Sequence, residues 1–181
     1  MKNMKNMKNI KRIICALILG VLFFQVPLTA NAAIYGGKWK TDIYFYVDTS
    51  DDSISGSFSV ARDSWNDVLK DLDANIKIHQ VWNKSSANVV VSTQSYIGAV
   101  ALTTLSPGKN SSSYKGGTIK VNPNQYNQLS STEKLYVATH ELGHILGLDD
   151  NDLGKKSVMN RSVGTTAIPT SYDKKELGRI Y

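Results

Sequence analysis

The most informative part of the sequence is the stretch HELGHILGLDD at residues 140–150. His140 and His144 are four residues apart, so on a helix they face the same way and their imidazoles can hold one metal ion. Glu141 would then stand beside that ion, as in the zinc-binding pattern HExxH. The alternative is a pair of hydrogen-bonded histidines on a buried helix face. Two of the three histidines in the chain lie at this spacing, which favours a metal site.

The residues on either side predict the helix that carries this motif. Ser130 and Glu133 have the form of a capping box, in which each side chain accepts a backbone N–H of the first helical turn. Gly147 follows the last turn and is expected at the left-handed position after a helix. The apolar positions between these signals are Leu135, Ala138, Leu142 and Ile145. The sequence therefore predicts one amphipathic helix that ends just before Gly147.

Beyond the helix, the motif takes the extended form HExxHxxGxxD and resembles the metzincin clan of zinc metallopeptidases. The resemblance implies that His140, His144 and Asp150 bind zinc and that Glu141 is the catalytic base. It also implies that Met159 belongs to a Met-turn, in which a methionine lies beneath the metal as an apolar floor. The end of the chain, from residue 169 to 181, resembles the final helix of the matrixin family.

Several residues depart from the commoner matrixin pattern. The third ligand is Asp150 instead of histidine, as in secreted bacterial proteases of the snapalysin type, and a carboxylate oxygen is a competent zinc ligand. Asp149 is adjacent and competes for this role, but the spacing of the family selects Asp150. Arg161 stands where some metzincins place an extra tyrosine ligand. His79, the remaining histidine, is expected to be an ordinary strand residue.

The rest of the chain predicts an α+β fold. Alternating or β-branched apolar residues predict strands at residues 41–48, 76–82, 87–93, 98–105 and 117–122. Apolar residues at helical spacing predict a helix from about Ser57 to Asn75, after a polar loop at residues 48–56. This order suggests a βαβ crossover, with 87–93 as an interior parallel strand. Serines and glycines predict a flexible loop at 109–117.

The resemblance adds detail to this fold. It implies a metzincin-like mixed, twisted sheet with an active-site helix, a Met-turn and a C-terminal helix. It also implies that the strand at residues 98–105 is the sheet edge above the cleft, where an extended peptide can pair with it. The residues expected to contact substrate are Gly98, Ala99, Val100, Ala101 and Leu102.

The first 32 residues predict a signal peptide, which leaves a catalytic domain at residues 33–181. A lysine-rich start precedes an apolar run at residues 13–24 and the small-residue cleavage site Ala30-Asn31-Ala32. The run is shorter than the roughly 20 residues that a membrane-spanning helix needs. Cys15, the only cysteine, lies in this segment. The exported domain therefore has neither a disulfide nor a cysteine nucleophile.

The positive charge of the chain lies in the same segment. The formal net charge is +6, but from Ala33 onward sixteen basic residues face fifteen acidic ones, a net charge of +1. We therefore expect no nucleic-acid partner, and no membrane partner after signal cleavage.

These features predict a secreted, monomeric zinc endopeptidase outside the cell or in the cell wall, acting on proteins or peptides. One catalytic zinc ion is the expected cofactor, with Glu141 as general base for a zinc-activated water. Calcium is a second candidate cofactor, although no calcium-loop motif supports it. Its candidate ligands are Asp48, Asp51, Asp52 and Asp152.

Two alternatives remain open at this point. One is a secreted zinc hydrolase that acts on a non-peptide acyl substrate, because an activated water attacks other acyl groups too. The other is a secreted binding or toxin module with a structural metal site. Structural zinc sites usually have four protein ligands, and only three are found here, which favours catalysis.

Overall fold

The computed structural model describes residues 35–95, 97–108 and 111–181, which form an α+β fold around a five-stranded mixed sheet. The strands in these ranges are β1 (Lys38–Trp39), β2 (Ile43–Asp48), β3 (Ile78–Gln80), β4 (Val89–Thr93), β5 (Ala101–Ser106), β6 (Ser113–Tyr114) and β7 (Gly116–Val121). The helices in these ranges are α1 (Asp52–Asp71), α2 (Pro123–Tyr126), α3 (Ser131–Ile145) and α4 (Ser171–Leu177). The predicted signal peptide and Cys15 lie outside the described residues.

The main sheet has the strand order β3-β2-β4-β7-β5. The first four strands are parallel, and β5 pairs antiparallel with β7 at one edge. The β-branched strand β4 lies in the interior between two parallel neighbours, as its composition predicts. Strands β2 and β3 are parallel neighbours on either side of α1, which confirms the predicted βαβ crossover.

The two long helices pack against the same face of this sheet. Phe58 of α1 contacts Phe45 of β2, with ring centroids 6.4 Å apart, and Ile145 of α3 lies against Gly117 of β7. The helices also pack against each other. The largest fully buried side chains of this core are Trp39, Trp65, Tyr126, Phe45, Phe58, Ile43, Ile54, Leu69, Ile78, Ile119, Leu142 and Ile145. Of the helices in the described ranges, none combines the length and the apolar character that crossing a bilayer requires.

Helix α1 begins five residues earlier than the sequence predicts and ends earlier too. The polar loop after β2 is limited to residues 49–51, because Asp51 is the N-cap and its carboxylate accepts the backbone N–H of Ser53. Ile54 is already buried in the core. The helix ends at Asp71, where the chain turns, and not near Asn75.

The segment predicted as a flexible loop contains ordered strands. Strand β6 pairs in parallel with β1 in a small second sheet, and β7 already begins at Gly116. Tyr114 is buried against Trp39. This long-range contact gives the segment its structure. Residues 109 and 110 of the predicted loop lie outside the described ranges. The strand expected at 98–105 begins only at Ala101.

Residues 35–39, here named the N-terminal strap, lie along the C-terminal end of α3. The backbone N–H of Tyr35 donates to the carbonyl of Gly147 at 2.9 Å, and the indole of Trp39 donates to the carbonyl of Ile145 at 2.7 Å. Gly37 donates to the phenol of Tyr114 at 3.1 Å. The last carbonyl groups of a helix have no donors within the helix. The strap therefore supplies donors to the end of α3.

Candidate metal centre

The structure brings His140, His144 and Asp150 together in one group that could hold a metal ion. The two histidines lie on α3, which begins with the predicted capping box at Ser130. After the helix, Gly147 has a φ of 102°, so the chain turns sharply as predicted. The turn brings Asp150 back toward the helix. Its Oδ1 lies 3.4 Å from Nε2 of His140 and 3.5 Å from Nε2 of His144.

The other ring nitrogen of each histidine faces a backbone carbonyl. Nδ1 of His140 lies 2.9 Å from the carbonyl oxygen of Val158, and Nδ1 of His144 lies 2.9 Å from that of Leu148. A carbonyl can only accept, so both Nδ1 atoms carry the hydrogen in the neutral rings. Both Nε2 lone pairs are then directed to the space beside Asp150. This second contact of each ring is the usual arrangement for a metal-binding histidine.

The carboxylates around the two histidines shift the pKa values of the group. Burial raises the pKa of Asp150, but the two imidazoles beside it outweigh burial and hold that pKa well below its ordinary value. Burial lowers the pKa of His144, yet Asp150 and the nearby Glu141 raise it overall. A carboxylate that stays ionised beside two imidazoles is a donor that a metal cation can use.

Glu141 lies beside the group and is not part of it. Its carboxylate is buried, and the hydroxyl of Thr103 on β5 donates to its Oε2 at 2.5 Å. Strand β5 therefore fixes the orientation of Glu141 from across the cleft. Sequence reasoning missed Thr103, because nothing in the periodicity of β5 indicates which side chain reaches α3.

An open cleft of about 560 Å³ lies over this group, between α3 and β5. Its walls include the predicted residues Ala99, Val100, Ala101 and Leu102 but not Gly98. The other walls come mainly from α3 and from residues 160–163, with Tyr35, Gln125 and Asp150 completing the lining. The outer edge of β5 pairs with no other strand of the described ranges. That this edge binds substrate stays a prediction.

Met159 packs against α3, and its role as the floor of a metal site stays a prediction. It is buried against Gly143, where its sulfur fills the space that a side chain would occupy. The turn around it is held by Asp173 of α4, whose carboxylate accepts from the Ser157 hydroxyl and from the Val158 N–H. Because the Val158 carbonyl contacts His140, helix α4 supports the site indirectly.

Replacing Gly143 with alanine should destabilise the protein, because the new Cβ would overlap the sulfur of buried Met159 and lie 3.0 Å from the ring of Trp65. Overpacking of this kind costs about 1–3 kcal/mol. Urea unfolding should measure this loss. Gly56→Ala is the matched control: Gly56 is an exposed position in α1 with nothing within 4 Å, so alanine should stabilise there. Equal stabilities for the two variants would contradict this packing.

Other side chains, among them Tyr35 and Arg161, contact the candidate ligands. The hydroxyl of Tyr35 lies 3.1 Å from Nδ1 of His144, and the two rings stack. Asp149 accepts the backbone N–H of Asp150 at 2.9 Å and lies near the Tyr35 phenol. Burial, together with the negative charge of Asp149, raises the pKa of the Tyr35 phenol. Arg161 lies 3.4 Å from Oδ2 of Asp150 and so contacts the oxygen that faces away from the histidines.

The remaining candidate residues have other roles in the structure. His79 lies in β3, where it pairs with Asp42 at 2.9 Å and stacks on Tyr44. The carboxylates considered for calcium lie apart: Asp48 pairs with Lys84, and Asp152 with Arg161. Within the described ranges, the group of His140, His144 and Asp150 is the one cluster with metal-ligand geometry.

Neither the models of known protein families nor the curated proteins compared with this chain give a match. The metzincin resemblance therefore rests on the motif and stays a prediction.

Proposed function

We propose that the protein is a secreted zinc endopeptidase of the metzincin type. The observation that carries the proposal is the convergence of His140 Nε2, His144 Nε2 and one oxygen of Asp150 at the floor of an open cleft. Glu141, a buried carboxylate, lies beside them. Three ligands with a base next to them are the components of a catalytic metal site.

The donor atoms fit a zinc ion. Two imidazole nitrogens and one carboxylate oxygen are a ligand set known for catalytic zinc. Donor atoms bound to tetrahedral zinc at 2.0–2.1 Å are roughly 3.3–3.4 Å apart. The distances from Asp150 Oδ1 to the two Nε2 atoms, 3.4 and 3.5 Å, are consistent with this spacing. The three ligands leave the cleft side of the site open.

In this proposal each residue has a separate task. When bound, zinc would supply Lewis-acid chemistry that activates water and polarises a carbonyl group. Glu141 accepts a proton from water and returns it to the leaving amine. Thr103 holds the Glu141 carboxylate toward the cleft through the hydrogen bond to Oε2. The contacts from Val158 and Leu148 keep both imidazoles in the tautomer that binds metal through Nε2.

The shape of the cleft favours an extended peptide as substrate. Strand β5 ends the sheet, and its open edge runs along the cleft. An extended chain could add to that edge by backbone hydrogen bonds. A non-peptide acyl substrate would make no use of this edge. A structural metal site in a binding module would not need an open cleft over its ligands.

The wild-type domain should contain about one zinc per chain and degrade casein, an unstructured protein, with activity lost on adding a chelator. His144→Ala should lose both the zinc and the activity. His79→Ala is the matched control, because His79 lies in β3 outside the ligand group. Metal analysis and casein digestion on the three proteins test the proposal. Undiminished zinc in His144→Ala, or proteolysis that survives the chelator, would contradict it.

The proposal includes export through a signal peptide at residues 1–32. Expression of the full chain in a secreting host should deliver a cysteine-free protein that begins near Ala33 to the medium. Sequencing the N-terminus of the exported protein identifies the cleavage site.

A further inference from the structure

We propose that Tyr35 of the N-terminal strap is a positioning residue for the metal ligand His144. The inference rests on the proposed function insofar as that function makes His144 a ligand. The inference assigns a role in the metal centre to a residue that lies far from the motif in the sequence.

Two separate contacts join Tyr35 to the imidazole of His144. The phenol oxygen lies 3.1 Å from Nδ1, and the rings stack with centroids 5.5 Å apart and an interplanar angle of 19°. The hydrogen bond fixes the rotation of the imidazole within its plane, and the stacking fixes the plane itself. Together they restrict both side-chain torsions of the ligand.

The hydrogen bonds around Tyr35 have a consistent direction. Nδ1–H of His144 donates to the carbonyl of Leu148 and is shared with the phenol oxygen. The carboxylate of Asp149 is close enough to act on the same phenol electrostatically. A phenol oxygen that accepts from Nδ1–H keeps the hydrogen on that nitrogen. Tyr35 therefore reinforces the tautomer that leaves Nε2 of His144 to the metal.

Tyr35 cannot easily move away from His144, because its backbone is tied to the same end of α3. Its N–H donates to the carbonyl of Gly147, three residues after His144. Trp39, at the other end of the strap, donates to the carbonyl of Ile145. Gly37 lies between them, and a side chain there would overlap the carbonyl oxygen of Ser111. The strap and the ligand thus form one packed unit.

The test compares the metal affinities of variants by competition with a chelator. Tyr35→Phe keeps the stacking ring and removes the hydroxyl, so the protein should fold while its zinc affinity falls roughly 10-fold or more, as when other outer contacts of a ligand are lost.

Tyr114→Phe is the matched control. It removes the phenol that accepts the N–H of Gly37 in the same strap, without touching His144. This variant should lower the thermal midpoint and leave the zinc affinity unchanged. Cobalt substitution adds a spectroscopic readout: the visible absorption band of the bound ion should shift in Tyr35→Phe and stay unchanged in Tyr114→Phe.

The outcomes separate this inference from the proposed function. If the wild-type protein binds zinc and Tyr35→Phe binds it equally well with the same cobalt spectrum, the positioning role is wrong and the endopeptidase proposal stands. If the wild-type protein binds zinc, cleaves no peptide and loses affinity in Tyr35→Phe, the positioning role holds and the proposed activity is wrong. A wild-type protein without metal affinity overturns both.

Discussion

Glu141→Gln should abolish peptide hydrolysis while the metal stays bound. Glutamine has nearly the same shape as glutamate, but its amide cannot take a proton from water. Glu141 lies outside the ligand group, so the substitution leaves all three donors in place. The hydroxyl of Thr103 can still donate to the carbonyl oxygen of the new amide, as it now donates to Oε2. Removing a general base costs about 10²–10⁴-fold in rate, and kcat/KM on a peptide substrate measures this loss.

Glu133→Gln is the matched control for this experiment. Glu133 lies on the same helix, in the exposed capping box, and glutamine is also found at that position of the motif. The control removes one negative charge from α3 and should keep full activity and zinc content. Near wild-type cleavage by Glu141→Gln would refute the assigned mechanism. Loss of zinc in that variant would instead mean that Glu141 is a ligand.

Asp150→Ala should lose far more metal affinity than Asp149→Ala. Asp150 supplies the oxygen that lies 3.4 and 3.5 Å from the two Nε2 atoms, whereas the carboxylate of Asp149 accepts the N–H of Asp150. Losing a ligand removes a coordinate bond and leaves two donors. Asp149 lies behind the ligands and binds no metal itself. Its loss should lower the metal affinity by about 10–100-fold, as for other outer contacts of a ligand. Zinc retention under increasing chelator concentrations ranks the two variants.

The adjacent substitutions control for each other, because each removes one negative charge near the cleft. If Asp149→Ala releases zinc at low chelator while Asp150→Ala retains it, the third ligand is assigned one residue too late. The alignment of the motif beyond Gly147 would then have to be redrawn.

The parts of the fold that the sequence predicts are those encoded by local patterns. The capping box at Ser130, the left-handed turn at Gly147 and the β-branched run of β4 are confirmed. Each depends on residues close together in the sequence. The start of α1 was misplaced for a local reason as well, since Asp51 and Ser53 are residues that favour both loops and helix N-termini.

The parts that the sequence did not predict depend on distant partners. Strand β6 forms because β1 lies next to it, and the positions of Tyr35 and Thr103 follow from tertiary packing. The residue types of Tyr35 and Thr103 and of strand β6 do not by themselves indicate these positions in the fold. The grouping of the three candidate metal ligands was predictable because the motif fixes their spacing, which a helix and one turn translate directly into geometry.

The strap has a consequence for how the protein folds. Its contacts join residues that are 109 apart at Tyr35 and His144, 106 apart at Trp39 and Ile145, and 142 apart at Trp39 and Tyr181. Closing loops of that size costs entropy that only the preceding collapse can offset. We therefore expect the end of α3 to reach its final geometry late, after the sheet and the long helices have assembled. The candidate metal centre would then be a product of folding and not its nucleus, and a bound ion would stabilise the finished fold without directing its early steps.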